Sequence, residues 1–451
     1  MTRKSGEDLT QGKLLPGIIR FVLPVIATGV LQLLFNAADL VVVGQFCGSN
    51  SVAAVGATST LNVLIVNFFL GISVGGGVCV AQAIGAKDDT RVHETVHTAI
   101  PLALIFGVVV TVIGIVFAEP LLRMMDTPES VLPLSVRYMR IVFCGQLFHV
   151  VYNYGAAILR AAGNTKGPLI YLTSAGGLNF VMNVILVTFL DMDVAGVALA
   201  TASSYVLSAV LVVRALLKRE DACRFRFRWM KIRKAPLLRM LKIGVPAALN
   251  GIMFSVANVL CQSSVNSFGD IAVAGNAAAA SIGGFVYTSM NAFHQTALNF
   301  TGQNAGAKKY DRVRKVMFYC MGCALVLGFI LGGLVNLFAR PLLGIYLSDA
   351  PASVAMGVIR LRYVCLLYFL CGLQEVTVGV LRGMGYSSTP LMASLVGVVF
   401  VRIGWILTVF QAYRRLEVLY LSFPLSWTVV LVVNLILVAI VLKKKRKLKY
   451  D

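Results

Sequence analysis

The sequence is short of charge. Asp, Glu, Lys and Arg make up 13% of its 451 residues while 58% are hydrophobic, against roughly 25% charged in soluble domains. That shortage excludes the string of water-soluble domains that length alone suggests. Acid is the scarcer sign, with 19 Asp and Glu against 40 Lys and Arg. Short alternating segments of the β-barrel kind are absent, which excludes a spanning barrel. The nine cysteines are scattered through apolar stretches, so no disulfide framework is implied. Cys320-Met-Gly-Cys323 has redox or metal spacing, but it stands alone in an apolar run and reads as packing. The first run lacks a small-residue cleavage site, so no removable signal peptide is expected.

What remains is apolar length. Twelve runs of twenty or so residues recur along the chain, each long enough to cross a bilayer as a helix. Most Lys and Arg fall in the N-terminus, in the loops after even-numbered runs and in the tail; the other loops are nearly bare or acidic, as in Asp191-Met192-Asp193. By the positive-inside rule both termini lie in the cytoplasm of a multi-pass protein of the cell (plasma) membrane. The basic loop Arg214–Lys242 and the tail Lys443-Lys444-Lys445-Arg446-Lys447 then read as topology determinants that touch membrane lipid, not as nucleic-acid sites.

The chain is written twice. Gln82-Ala-Ile-Gly85-Ala86-Lys87 and Arg91-Val92 return as Gln303-Asn-Ala-Gly306-Ala307-Lys308 and Arg312-Val313, 221 residues on (82 to 303). Leu159-Arg160-Ala-Ala-Gly163 with Pro168-Leu169 returns as Leu381-Arg382-Gly-Met-Gly385 with Pro390-Leu391, 222 on (168 to 390). Pro24 matches Pro246. The expected fold is an all-α membrane protein of twelve transmembrane helices in two six-helix parallel-topology repeats around a central cavity, where transporters place substrate. The domains are 1–217 (N-terminal half), 218–240 (basic cytoplasmic linker), 241–442 (C-terminal half) and 443–451 (basic tail). Gly71-Ile-Ser-Val-Gly75-Gly76-Gly77 lies in the second run and reads as close helix packing, not a phosphate loop.

Only Asp39 and Glu375 fall deep inside runs, and an acid there is costly and by default functional. Thr28, Gln32, Asn36 and Asp39 share one helical face. The repeat keeps Asn250 and Asn258 at the places of Thr28 and Asn36, with Cys261 in place of Asp39. Asn179 and Asn183 (i, i+4) and Thr201 add amide and hydroxyl oxygens. With a carboxylate these suit Na⁺ or frame a group that takes up H⁺; the bland alternative is helix-to-helix bonding. Glu375 either attracts a cationic substrate or pairs with Arg402. His93-Glu94-Thr-Val-His97 matches the H-E-x-x-H zinc-protease pattern, a remote alternative with no third ligand nearby; no metal site and no cofactor are expected.

Asp39 with Val-Val-Val-Gly44, Ala-Ala-Val-Gly56, Gln82-x-x-Gly-Ala, Leu-Asn179, Ala-Leu-Ala-Thr201 and the Leu-Arg-Gly-x-Gly…Pro stretch at 381–390 together resemble the multidrug and toxic compound extrusion (MATE) family, bacterial type. The resemblance implies a twelve-helix antiporter, not an enzyme, that exports organic cations and drugs against inward H⁺ or Na⁺. Carried over by position, Asp39, Asn179, Asn183 and Thr201 form the coupling-ion site, and Pro24 is the hinge. Many bacterial members have an aspartate where this chain has Asn183. Substrate contacts are expected from Gln32, Phe35, Asn36, Met253, Phe254, Asn258, Met290 and Glu375, whose Met and aromatic surfaces suit varied amphipathic cations. A monomer is expected. The alternative transport reading is a lipid-linked oligosaccharide flippase, which needs a strongly cationic cavity; of the deep residues only Arg402 fits that.

Overall fold

A computed structural model describes residues 8–125, 127–347 and 350–450, with no strand among the described residues. The first six helices are α1 (Leu14–Phe46), α2 (Ser49–Gly85), α3 (Asp89–Met124), α4 (Leu132–Ala161), α5 (Lys166–Val184) and α6 (Asp193–Leu217); a wider π-helical turn over Ile185–Phe189 prolongs α5. Then follow α7 (Lys234–Asn266), α8 (Asp270–Gly306), α9 (Tyr310–Leu337), short α10 (Ala339–Tyr346), α11 (Pro351–Arg360) and α12 (Tyr368–Gly383). Short α13 (Ser388–Ser394) runs into a π-helical stretch, Leu395–Ile403, and through α14 (Gly404–Leu407) and α15 (Val409–Ala412) to α16 (Leu416–Tyr450). Eleven of these segments are long and apolar enough to cross a membrane. Pro351–Cys365 with Tyr368–Gly383, bent by 40°, makes the twelfth when read as one span. In hydrocarbon a helix satisfies its own backbone groups, so these runs take that form.

The repeat extends to the backbone. Gly48 (φ 84°) and Gly269 (φ 86°) turn the chain before α2 and α8, Lys87 and Lys308 (both φ 56°) after them, and Gly163 (φ 80°) and Gly385 (φ 90°) after α4 and α12. At Gly163 the left-handed residue lets Asn164 N–H reach back to Leu159 C=O at 2.9 Å, and at Gly385 Tyr386 N–H reaches Leu381 C=O at 2.9 Å. Both are helix-ending motifs that need φ > 0. The Leu-Arg-x-x-Gly pattern in the sequence is this stop signal.

Contacts group the chain into two compact units, the first holding Ala27–Ala248 and the second Leu9–Ile26 with Leu249–Asp451. Each boundary inside a helix falls two residues past a proline, Pro24 in α1 and Pro246 in α7. In the second unit Leu14, Ile18, Phe21 and Val22 of α1 join a core with Phe293, Val316, Val380 and Val438, and the Phe21 ring meets Phe300 edge-on at 5.5 Å. Gln303 and Arg312 of the repeated motif clasp the chain just before α1: Leu9 N–H donates to Gln303 Oε1 (3.0 Å), and Arg312 Nη2 donates to the Gln11 and Gly12 carbonyls (2.6 and 2.9 Å). In the first unit, Gly71 and Gly75 admit the start of α7. A Cβ on Gly71 would lie 2.4 Å from Ala248 Cα, and one on Gly75 would lie 2.2 Å from the Met240 carbonyl. The glycine run is therefore a packing surface, as small residues in lipid-embedded helices usually are.

Candidate functional site

The first unit gathers the polar residues of α1, α5 and α6. Asn183 Nδ2 donates to Asp39 Oδ1 at 2.5 Å and to Asn179 Oδ1 at 3.3 Å. Asn179 Nδ2 donates to Thr201 Oγ1 at 3.4 Å, and that hydroxyl donates to the Val197 carbonyl at 3.0 Å. The four residues assigned to the ion site thus form one hydrogen-bonded chain. Asn179 and Asn183 are buried (5% and 1% exposed) and Asp39 is half-buried. No Lys or Arg stands within ion-pair distance of Asp39 among the described residues. Spacing explains the assembly: Gly176, Asn179 and Asn183 lie on one face of α5, and Phe35 and Asp39 on one face of α1. Gly176 brings the faces together, since a Cβ there would lie 1.9 Å from Phe35 Cε2. Asn183 lies one residue before the end of α5, two before the π-helical turn begins at Ile185; such turns are frequent at functional sites. Asn183 Oδ1 is buried with no partner among the described residues.

Of the remaining candidates on this unit, Gln32 and Asn36 are exposed on α1, and Phe35 is half-buried over α5. On the second unit Asn258 is exposed on α7, with Met253 and Phe254 half-buried. Met290 departs from expectation. It is fully buried (0%) in the core, where Gly328 and Gly372 let its sulfur approach, so it fills space between α8, α9 and α12 and lines no open face. Glu375 is not paired with Arg402. Its Oε2 lies 3.1 Å from His294 Nδ1, and His294 Nε2 lies 3.4 Å from Arg382 Nη1. With the proton on Nδ1, His294 donates to Glu375 and accepts from Arg382, so the imidazole links the two charges. Sequence spacing gave no hint of His294, which lies 81 residues from Glu375. Arg382 was visible only as part of the repeated Leu-Arg motif.

The profile of the MatE family matches the chain twice, over residues 24–185 and 246–406, in the same register as the internal repeat. The chain belongs to the MATE family. Its members are transporters, so this chain is a transporter and not an enzyme. It is 28% identical to "Probable multidrug resistance protein YoeA" of Bacillus subtilis (strain 168), over 97% of each chain. It is 24% identical to a "FAD transporter" of Shewanella oneidensis, over 71% of this chain and 72% of that one. An outward-facing MATE transporter of the MOP superfamily superposes with a TM-score of 0.91 at 22% identity, covering 98% of this chain and 99% of that one. That likeness shows the fold, the all-helical MATE architecture expected from sequence.

In this MATE chain the H-E-x-x-H match is a brace. The His93 and His97 rings stack at 4.0 Å. His97 Nδ1 meets the His93 carbonyl at 2.8 Å, and its Nε2 accepts from the Arg226 N–H at 3.1 Å. Glu94, which a protease would use on water, is bonded to Arg233. Thr98 Oγ1 and the His97 carbonyl also bond the backbone at Arg233 and Lys231. No cluster of three His, Cys, Asp or Glu that could hold a metal occurs among the described residues. The zinc-protease alternative is set aside because the family's members are transporters, and because His97 Nε2 and Glu94 are engaged by the loop between α6 and α7. Sequence treated that loop as a charged linker and missed that the start of α3 holds it.

Proposed function

We propose that this transporter is a secondary active multidrug efflux antiporter, exporting amphipathic organic cations by alternating access in exchange for H⁺, with Asp39 as the coupling acid. The observation that supports this most directly is the Asn183-to-Asp39 hydrogen bond. Asn183 turns its N–H₂, not its carbonyl, toward the carboxylate, which stabilises the ionised acid. Na⁺ would ask for oxygen ligands at this point, and so for a turned amide. Proton uptake needs no such change: it neutralises the acid and weakens its hold on a cation.

In this reading Gln32, Phe35 and Asn36 on α1, and Phe254, Met253 and Asn258 on α7, contact the solute on the face of their own unit, with Glu375 as a further attraction for cations. Pro24 serves as the hinge of α1, since a proline removes one helix hydrogen bond. The halves 1–217 and 241–442 act as the repeat units, with 218–240 as linker and 443–451 as tail. The protein works as a monomer in the plasma membrane, with both termini cytoplasmic, as its charge asymmetry favours.

Ethidium efflux from pump-deficient cells, energised separately by a pH gradient and a Na⁺ gradient, tests the assignment. Efflux on the pH gradient alone, lost in Asp39→Asn with expression and folding unchanged, supports it. Undiminished efflux in Asp39→Asn refutes the coupling acid, and efflux on Na⁺ alone refutes the ion.

A further inference from the structure

Arg402 is the largest fully buried side chain among the described residues, 1% exposed, and it lies in the π-helical stretch Leu395–Ile403 of the span before α16. No carboxylate pairs with it among the described residues. Its Nε and Nη2 donate to one hydroxyl, Ser426 Oγ (3.0 and 2.7 Å), and its Nη1 reaches Asn258 Oδ1 only at 3.5 Å. A guanidinium has five N–H donors, so two find no acceptor among the described residues. Two aromatic faces flank it, with Phe423 at 4.4 Å and Phe254 at 5.9 Å. Burying a charge without a counter-charge is expensive, and an ionisable group inside a membrane by default marks a function.

The internal repeat says where this charge stands. At the offset of 222 residues (168 to 390), Cys261 occupies the place of Asp39, Phe423 that of Thr201, Ser426 that of Ser204, and Arg402 the place just after Asn179. The second unit therefore keeps none of Asp39, Asn179, Asn183 and Thr201, with Val401 and Trp405 at the places of the two amides, and carries a buried positive charge where the first unit carries an acid. The long contact to Asn258 is also the one nearest the open face of α7, where Asn258 is exposed and Phe254 half-buried.

We infer that Arg402 is a binding residue for a carboxylate carried by a transported solute. Asn258 yields the Nη1 edge as the carboxylate enters, half-buried Phe254 meets the solute's flat apolar body, and Phe423 backs the guanidinium from the core. This rests on the exporter reading above and narrows its substrate class to amphipathic molecules that carry an acid as well as a cation. A planar, always-charged fork with free donors is the geometry that a carboxylate meets with two parallel bonds.

The test is binding without any gradient, by fluorescence anisotropy, of a xanthene dye with a free carboxylate and of the methyl ester of the same dye. Purified wild-type protein should bind the acid about tenfold or more tightly than the ester, the worth of one hydrogen bond to a charged group. Arg402→Gln should bring the two affinities together. Arg402→Lys, which keeps the charge in case the Gln variant does not fold, should narrow the ratio and leave it above one. Equal affinities in the wild type, or a ratio that survives unchanged in either variant, overturns the inference. Failure of the exporter reading would show instead in the Asp39→Asn efflux assay, so either can fall alone.

Discussion

Gly176→Ala is the sharpest probe of how the acid is held. A Cβ at 176 would lie 1.9 Å from Phe35 Cε2, 2.1 Å from Cζ and 2.4 Å from Cδ2. Non-bonded carbons approach to about 3.5 Å, so the Phe35 ring must move off α5 by about 1.6 Å. Asp39 sits one turn further along α1. If its carboxylate moves with the ring, the 2.5 Å bond from Asn183 opens to about 4 Å, beyond hydrogen-bonding range. Overpacking of this kind costs about 1–3 kcal/mol. Gly176→Ala should lower the stability of the purified protein by that amount in chemical unfolding, and should cut proton-driven dye efflux as Asp39→Asn does. Phe35→Ala removes the clash. The double variant should therefore be more stable than the sum of the single changes predicts, by about 0.5–3 kcal/mol, the coupling usual for residues in contact. Simple additivity, or full efflux in Gly176→Ala, would refute the argument that this contact positions the acid.

Other expectations follow from the same contacts. His97→Phe keeps the ring but leaves the Arg226 N–H without its acceptor; it should cost about 1–3 kcal/mol and speed proteolysis of the loop between α6 and α7, while metal analysis finds no zinc in either protein. Glu375→Ala leaves His294 and Arg382 buried without their acid, so it should destabilise by about 3–5 kcal/mol, and adding Arg382→Met should recover much of that in the same unfolding assay. Burial pushes the Asp221 carboxyl up, but the hydrogen bond and charge of Arg219 outweigh this and hold it below the usual carboxylate range. A depressed folded value means that its stabilisation is present at neutral pH and is lost as pH falls below about 4. Hydrogen exchange in the loop should accordingly differ between Asp221→Asn and wild type at pH 7, and the difference should vanish in strong acid.

How far sequence reaches can be seen at single residues. Span count, duplication and helix stops were legible because each is a local rule: an apolar run long enough for the bilayer, a glycine where φ must be positive, a proline at a matching place. The Asp39 group was legible for the same reason, since helical period alone puts Asn179 and Asn183 on one face and Thr28 to Asp39 on another. That these two faces meet depends on the missing side chain at Gly176, which the sequence shows only as one glycine among 41. His294 next to Glu375, Met290 in the core and His97 under the linker had no local signature, because their partners lie tens of residues away and only packing brings them together.

The sequence by itself determined that this is a duplicated, all-helical membrane protein with an acid in its first span, because hydrophobic length and helical period act along the chain. Tertiary structure alone decided what each buried charge touches: Asp39 an amide, Glu375 a histidine, and Arg402 a serine and two aromatic rings. Those choices fall between segments far apart in the chain, where the cost of burying a charge selects its partner.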